Sequence, residues 1–97
     1  MASISYSSDF FDDLSRLTDF LMLQNVDAAL STYDIVMDGI RLLKTHPEIG
    51  RPSLKGGLRE LVISRGNTGY IALYSYDEFL DLVHVVSIWH QRETNIN

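Results

Sequence analysis

The chain has 97 residues, of which 45% are hydrophobic and 22% charged, as is typical of one small domain with a single core. It has no cysteine, which excludes disulfides and thiolate chemistry. Its net charge of −5 argues against general nucleic-acid binding, because affinity for a phosphate backbone grows with the number of phosphates neutralised. No apolar run is long enough to span a membrane and the first residues lack a signal-peptide pattern, so we expect a cytoplasmic protein with no membrane partner.

The first half of the chain predicts one short strand and two helices. Residues 4–6 alternate apolar and polar, as a strand does, and Ser7, Ser8 or Asp9 offers an N-cap for a helix directly after it. A second helix is predicted to begin near Asn25 and to end before Pro47. The link between the helices is short, so they are expected to pack as an antiparallel hairpin.

Apolar residues recur at helical spacing along both predicted helices and indicate the faces that should be buried. In the first helix they are Phe10, Phe11, Leu14, Leu17, Thr18 and Leu21. In the second they are Val26, Ala29, Tyr33, Val36, Met37, Ile40 and Leu43.

Residues 45–57 contain two prolines and three glycines and are predicted to be an irregular loop. Three strands are predicted after it, at residues 58–63, 70–76 and 80–89, because these runs are rich in β-branched and aromatic residues. Their connections are too short for parallel crossovers, so the strands should form an antiparallel meander. The sequence therefore predicts one α+β domain over residues 1–97, with the element order β-α-α-β-β-β and the helix hairpin packed on a small antiparallel sheet.

The second half of the chain also contains the residues that are chemically most suggestive. Tyr70, Tyr74 and Tyr76 share one strand face, where they would pack under the helices or stack on nucleic-acid bases. Packing is the commoner use of such a row. His84 alternates with apolar neighbours, which favours a sheet histidine over a ligand. No two histidines have metal-ligand spacing beside carboxylates, so we expect no metal and no cofactor.

Several short motifs, taken in order, resemble the RelE/ParE toxin superfamily over residues 4–92. They are FDDL at residues 11–14, HPEIGRP at 46–52, LRELVI at 58–63, YIALY at 70–74 and VVSIWHQR at 85–92. The resemblance implies the same fold and a toxin of a bacterial type II toxin–antitoxin pair, with a cognate antitoxin as its partner.

The superfamily has two main activities. RelE-like members cut messenger RNA on the ribosome, whereas ParE-like members poison DNA gyrase. RNA cleavage requires several cations and an acid–base group directed at one point. Here Arg59 is followed by Glu60, and residues 70–76 contain no basic side chain. The ParE-like branch fits better, through the loop at residues 46–52 and the ending His90-Gln91-Arg92.

The leading hypothesis is therefore a ParE-like toxin that inhibits DNA gyrase by binding and has no catalytic residue of its own. Such a pair would serve in plasmid stabilization and would contact DNA directly only through the toxin–antitoxin complex. Leu30 and Ile35 are predicted as exposed anchors for the antitoxin, because they lie off the main stripe of the second helix. The residues predicted to bind the target are Arg51, Arg59, Arg65, Trp89, His90 and Arg92.

Two alternatives remain open. One is a RelE-like, ribosome-dependent endoribonuclease that acts on messenger RNA with Arg59, His90 and Arg92. The other is a protein with the toxin fold that is not toxic and serves as a binding or regulatory module.

Overall fold

The computed structural model describes residues 1–65 and 68–91, without the side chains of residues 64, 65 and 68. Two helices pack on one five-stranded sheet, so the predicted α+β fold and order of elements are confirmed. The helices are α1 (Ser8–Met22) and α2 (Val26–Arg41), and a single 3-10 turn (Leu42–Lys44) follows α2. The strands are β1 (Ser3–Tyr6), β2 (Arg51–Pro52), β3 (Arg59–Arg65), β4 (Thr68–Asp77) and β5 (Leu82–His90).

The strand order across the sheet is β1-β5-β4-β3-β2. The meander β3-β4-β5 is antiparallel as predicted, whereas β1 runs parallel to β5. Two details differ from the sequence prediction. The segment 45–57 is not wholly irregular, since β2 pairs with the start of β3, and β5 begins at residue 82 rather than 80. In the described part of the chain, neither helix has the length and hydropathy of a transmembrane segment.

Both helices begin at the capping residues that their sequences offer. The Ser7 hydroxyl accepts a hydrogen bond from the Phe10 N–H at 3.1 Å, and the Asn25 amide oxygen accepts one from the Ala28 N–H at 3.2 Å. Each cap satisfies a backbone donor that has no partner within the helix. The sequence Gln24-Asn25 therefore ends one helix and begins the next, and this produces the hairpin.

The buried faces of the helices are narrower than the apolar pattern predicted. Phe11 in α1 and Val26 and Tyr33 in α2 are about half exposed, so their assignment to the buried stripes was wrong. Thr32 is buried instead, because its hydroxyl has a polar partner in the Tyr70 hydroxyl at 3.1 Å. A buried hydroxyl is tolerated when it is hydrogen-bonded.

The core lies between the helices and one face of the sheet, and the tyrosines of β4 are part of it. Tyr70 and Tyr74 are buried and Tyr76 packs at the border, which confirms packing rather than base stacking as the use of this row. Two residues on β3, Leu61 and Ile63, face the helices in the same layer. The other core residues are Ala2, Phe10, Leu14, Val36, Ile40, Leu43, Ala72, Val83, Val85 and Ile88.

The N-terminal part of the chain covers the edge of β5 that does not pair with β4. β1 pairs with residues 82–85, and further partners come from Ser7, the N-cap of α1, and from Asp13 within α1. The Ser7 N–H donates to the Val85 carbonyl at 2.9 Å, and the Ser7 hydroxyl donates to the Val86 carbonyl. The Asp13 carboxylate accepts from the Ile88 N–H at 3.2 Å. These bonds satisfy backbone groups that would otherwise invite pairing with another chain.

Candidate functional site

Arg59, which was predicted to bind the target, fastens the loop at residues 46–50 to the sheet. Its guanidinium donates to the Gly50 carbonyl at 2.7 Å and to the Glu48 carbonyl at 3.2 Å. It also lies 3.6 Å from the Glu48 carboxylate, and its side chain is 32% exposed. Two hydrogen bonds to backbone carbonyls and one ion pair hold the Arg59 guanidinium in place, which leaves it little freedom to bind a partner.

Gly50 lies beneath this clamp and contacts a buried tyrosine. Its N–H donates to the Tyr74 hydroxyl at 2.9 Å, and Tyr74 has no exposed surface. Burial raises the pKa of the Tyr74 hydroxyl above its usual value, so the group stays protonated while it accepts this bond. The loop is thus held at two points, by Arg59 from the side and by Tyr74 from the core.

Arg51 lies on the outer face of the sheet, by which we mean the face opposite the helices. Its Nε atom is 3.0 Å from the Glu60 carboxylate, and its side chain is 59% exposed. The Ser53 hydroxyl donates to the same carboxylate at 3.4 Å. An exposed ion pair of this kind contributes about 0–1 kcal/mol, so Arg51 can exchange it for a contact with a partner at little cost.

Trp89 and His90 are consecutive in β5 and therefore point to opposite faces of the sheet. Trp89 pairs in register with Ile71 on the outer face. Its indole N–H is buried and meets no acceptor among the described residues. His90 pairs with Tyr70 on the helix side, where the two rings meet edge to face with centroids 5.3 Å apart. The two residues cannot both face one flat partner.

Each of these residues lines a different depression. Trp89 lines an outer groove of 670 Å³, together with Ser53, Lys55 and Glu60 from the β2–β3 region and Asp13 and Arg16 from α1. His90 lines a helix-side pocket of 590 Å³, together with Phe20, Leu21, Thr32 and Tyr70. Arg16 borders both depressions, so α1 forms the wall between them.

Four of the six residues predicted to bind the target have described side chains, and these four do not form one surface. Arg51 and Trp89 share the outer face. Arg59 and His90 lie on the helix side, but their partners on β4, Tyr74 and Tyr70, are about 13 Å apart along the strand.

The other two predicted target residues cannot be placed in this arrangement. Arg92 and the side chain of Arg65 lie outside what the structure describes.

The two predicted antitoxin anchors differ in exposure. Leu30 is 56% exposed on α2, as expected. Ile35 is half-buried and packs against the core, so its prediction as an exposed anchor was wrong. The helical pattern placed Ile35 off the buried stripe. The face of α2 that is actually buried is rotated slightly from the predicted one, toward Thr32 and Ile35. Further apolar surface near the helix hairpin comes from Phe20, Leu23 and Val26.

The turn between β4 and β5 was not predicted as functional, although it carries the most exposed aromatic ring in the described structure. Phe79 is 100% exposed and Leu80 is 69% exposed. The Asp77 carboxylate accepts from the N–H groups of both residues, at 2.9 and 3.1 Å. The sequence does contain a signal, an apolar pair between acids at residues 77–81, but the prediction of a strand from residue 80 concealed it.

The same turn is closed at its base by a tyrosine. The Tyr76 hydroxyl donates to the Asp81 carboxylate at 2.7 Å, and this bond raises the pKa of Tyr76 to about 12. Asp81 has φ of 49°, a left-handed conformation in which aspartate is tolerated better than most residues. The turn at residues 77–81 is therefore built by its own side chains.

One further polar pair joins two strands of the sheet. The Ser5 hydroxyl and His84 Nδ1 are 2.7 Å apart and join β1 to β5 across the outer face. Within residues 1–65 and 68–91, no three histidine or acidic side chains converge as metal ligands.

Comparison with known proteins identifies similarity at the level of both sequence and fold. The family model for the ParE toxin of type II toxin–antitoxin systems matches residues 4–95. The fold is similar to that of a chain from the chromosomal ParDE toxin–antitoxin system of P. aeruginosa, with a TM-score of 0.76 and 19% identity over 93% of this chain and 96% of that one.

Two further structures share the fold. One is a chain of the intact E. coli RelBE toxin–antitoxin complex, with a TM-score of 0.59 and 14% identity over 91% of this chain and 94% of that one. The other is a chain of the RelBE2 toxin–antitoxin complex of Mycobacterium tuberculosis, with a TM-score of 0.54 and 20% identity over 93% and 98%. Comparison with curated protein sequences finds no significant match.

Proposed function

Because the chain belongs to the ParE toxin family of type II toxin–antitoxin systems, we propose that it arrests bacterial growth by binding DNA gyrase. A cognate antitoxin neutralises it, and the toxin acts through contacts rather than through chemistry of its own. We place this activity in the cytoplasm, with plasmid stabilization as its use and with DNA contacted only through the antitoxin complex. The observation that supports binding over catalysis is the separation of Arg59 from His90.

This separation matters because of what RNA cleavage requires. A ribonuclease that uses the 2′-hydroxyl must bring a base, a phosphate-binding cation and an acid to one phosphate. Here the Arg59 guanidinium is held by Glu48 and Gly50 at one end of the sheet. His90 packs on Tyr70 toward the other end. The described residues thus favour a binding surface over an assembled acid–base site.

Replacing His90 by Gln tests the proposal, because Gln keeps hydrogen bonding but cannot transfer a proton at neutral pH. We expect His90→Gln to stay toxic on expression in a bacterium without antitoxin. The purified variant should inhibit gyrase supercoiling about as well as wild type and leave ribosome-bound messenger RNA uncut. An endoribonuclease that depends on His90 would lose roughly 10²–10⁴-fold in rate on this change. Ribosome-dependent cleavage that disappears in the variant would replace the gyrase proposal with the ribonuclease alternative.

The surface of α2 supports an antitoxin that binds as an extended or helical segment. Leu30 is exposed and lies between Asp27 and Asp34, which are also exposed. A disordered segment with apolar anchors and basic neighbours would fold onto such a surface and bury the leucine. The solved ParDE and RelBE structures that share this fold come from toxin–antitoxin systems.

Leu30→Ser should therefore weaken the antitoxin complex and leave the isolated fold intact. Truncation of an apolar interface anchor commonly costs more than about 1 kcal/mol of binding, so we expect the Kd to rise by about 10-fold. Leu42→Ser is the matched control, because Leu42 is 51% exposed but follows the far end of α2. Titration calorimetry gives both Kd values, and thermal unfolding tests the fold. Equal affinity of Leu30→Ser and wild type would place the antitoxin elsewhere.

A further inference from the structure

The turn at residues 77–81, which we call the acidic tip, exposes apolar surface that serves no purpose in the fold. Phe79 is 100% exposed and Leu80 is 69% exposed, and neither belongs to the core cluster. A hairpin turn needs no phenyl ring, since small polar residues form such turns more readily. An aromatic ring in water is typical of a residue that is buried on association, and aromatic residues are enriched among the strongest contacts of protein interfaces.

Hydrogen bonds within the chain fix the conformation of the acidic tip without a binding partner. The Asp77 carboxylate binds the N–H groups of Phe79 and Leu80, and Tyr76 binds Asp81 across the base of the turn. The Asp81 carbonyl also accepts from the Ser3 N–H at 3.0 Å, which ties the tip to β1. A turn held at this many points loses little conformational entropy on binding, so more of the contact energy appears as affinity.

The negative charge of the acidic tip indicates which kind of partner surface can bind it. Asp77, Glu78 and Asp81 surround the two apolar residues, and the sequence has no lysine or arginine between Arg65 and Arg92. A complementary partner must offer an apolar depression with lysines or arginines at its rim. The cations once predicted to meet the target are in part neutralised, since Arg51 pairs with Glu60 and Arg59 with Glu48.

We propose that the acidic tip is the anchor by which this toxin binds its protein target, with Phe79 and Leu80 entering an apolar pocket that has a basic rim. This inference rests on the proposed function, in which the target is DNA gyrase. Gyrase binds DNA, and surfaces that neutralise phosphates are rich in lysine and arginine. The binding partner is a folded protein, because a rigid, protruding turn needs a cavity that exists before binding. A disordered antitoxin segment offers none until it folds.

The test uses Phe79→Ser and Glu78→Lys, with Leu23→Ser as the matched control. Leu23 is 90% exposed and directly follows α1, whose last turn lies near His90 at the end of β5, whereas the acidic tip precedes the start of β5. Both tip variants should bind purified gyrase at least about 10-fold more weakly than wild type, and the control should bind within about 2-fold. Toxicity on expression should fall with the same ranking. Thermal unfolding should match wild type in all three variants, and antitoxin affinity should match wild type in the two tip variants.

Each outcome either supports the acidic tip as anchor or overturns it. Gyrase binding and toxicity of Phe79→Ser equal to wild type would overturn it and leave gyrase as the target. If wild type is toxic without binding gyrase, the gyrase proposal fails. Loss of toxicity in Phe79→Ser would then still support the tip as anchor on another target, and unchanged toxicity would overturn it.

The same variants also test the two other possible binding partners of the acidic tip, the antitoxin and a second copy of this chain. A loss of antitoxin affinity in Phe79→Ser, or a loss of self-association measured by sedimentation, would assign the tip to the antitoxin or to a second copy and overturn the inference. A wild-type chain that is neither toxic nor bound to gyrase would overturn both proposals.

Discussion

Replacing Leu61 by Asp is expected to destabilise the protein strongly. Leu61 is 6% exposed, pairs in register with Ala72 and lies in the core between β3 and the helices. A carboxylate at this site would be buried without a partner, at a cost of about 3–5 kcal/mol. The total stability of a small domain is about 5–15 kcal/mol, so this change would remove a large part of it and lower the urea concentration at the unfolding midpoint strongly. Urea unfolding followed by circular dichroism measures the change.

Val62→Asp is the matched control for this experiment. Val62 is the next residue of β3, but it faces the outer side of the sheet and is 39% exposed. The same carboxylate there remains hydrated and should cost only about 1 kcal/mol, through the poor strand preference of aspartate. If Leu61→Asp unfolded at the same urea concentration as wild type, the register of β3 would be wrong by one residue, since such a shift exchanges the two faces.

Replacing Gly50 by Ala is the second change expected to have a large effect. A Cβ atom at this position would lie 2.6 Å from the Tyr74 hydroxyl oxygen, 2.7 Å from Tyr74 Cε1 and 2.9 Å from the Glu60 carbonyl oxygen. Tyr74 is fully buried and cannot turn away, and Glu60 is fixed by pairing with β2. Overpacking of this kind costs about 1–3 kcal/mol, and loss of the Gly50–Tyr74 hydrogen bond adds about 1–3 kcal/mol.

Gly56→Ala separates this steric effect from the general effect of removing a glycine. A Cβ atom at residue 56 meets nothing within 4 Å, and no positive φ requires glycine there. Ala at this site should be neutral or stabilise by about 0.4–1 kcal/mol, because it restricts the unfolded chain. Thermal unfolding of both variants gives the comparison. Equal melting temperatures for the two would mean that the loop at residues 46–50 moves away from Tyr74 readily.

Much of the fold could be predicted from the sequence, because its determinants are local. Strand and helix periodicities, the caps at Ser7 and Asn25, and the turn residues between strands each act within a few positions. Two features escaped prediction for tertiary reasons. β2 has only two residues, one of them a proline, and is recognisable as a strand only beside β3. Thr32 is buried because Tyr70, 38 residues away, supplies its hydrogen bond.

The candidate site was harder to predict than the fold. Basic residues were chosen for the target surface by charge, but charge alone does not reveal that Glu48 and Glu60 hold Arg59 and Arg51. Strand alternation does imply that Trp89 and His90 face opposite sides, although their adjacency in the chain favoured a single target surface. The acidic tip was missed because Leu80, Asp81 and Leu82 alternate apolar and polar, as a strand does, so the strand was predicted to begin at residue 80.

Because β1 pairs with β5, the sheet cannot be completed until synthesis has passed residue 85. Ser5 and His84 are bonded across the sheet but lie 79 residues apart in the chain. At translation rates of about 5–20 residues per second, several seconds pass between the synthesis of β1 and that of β5, its pairing partner. A ribosome that stops before residue 82 releases a fragment without β5, so the acidic tip lacks the second strand of the hairpin that carries it. Prematurely ended translation products of this toxin should therefore be harmless to the cell that makes them.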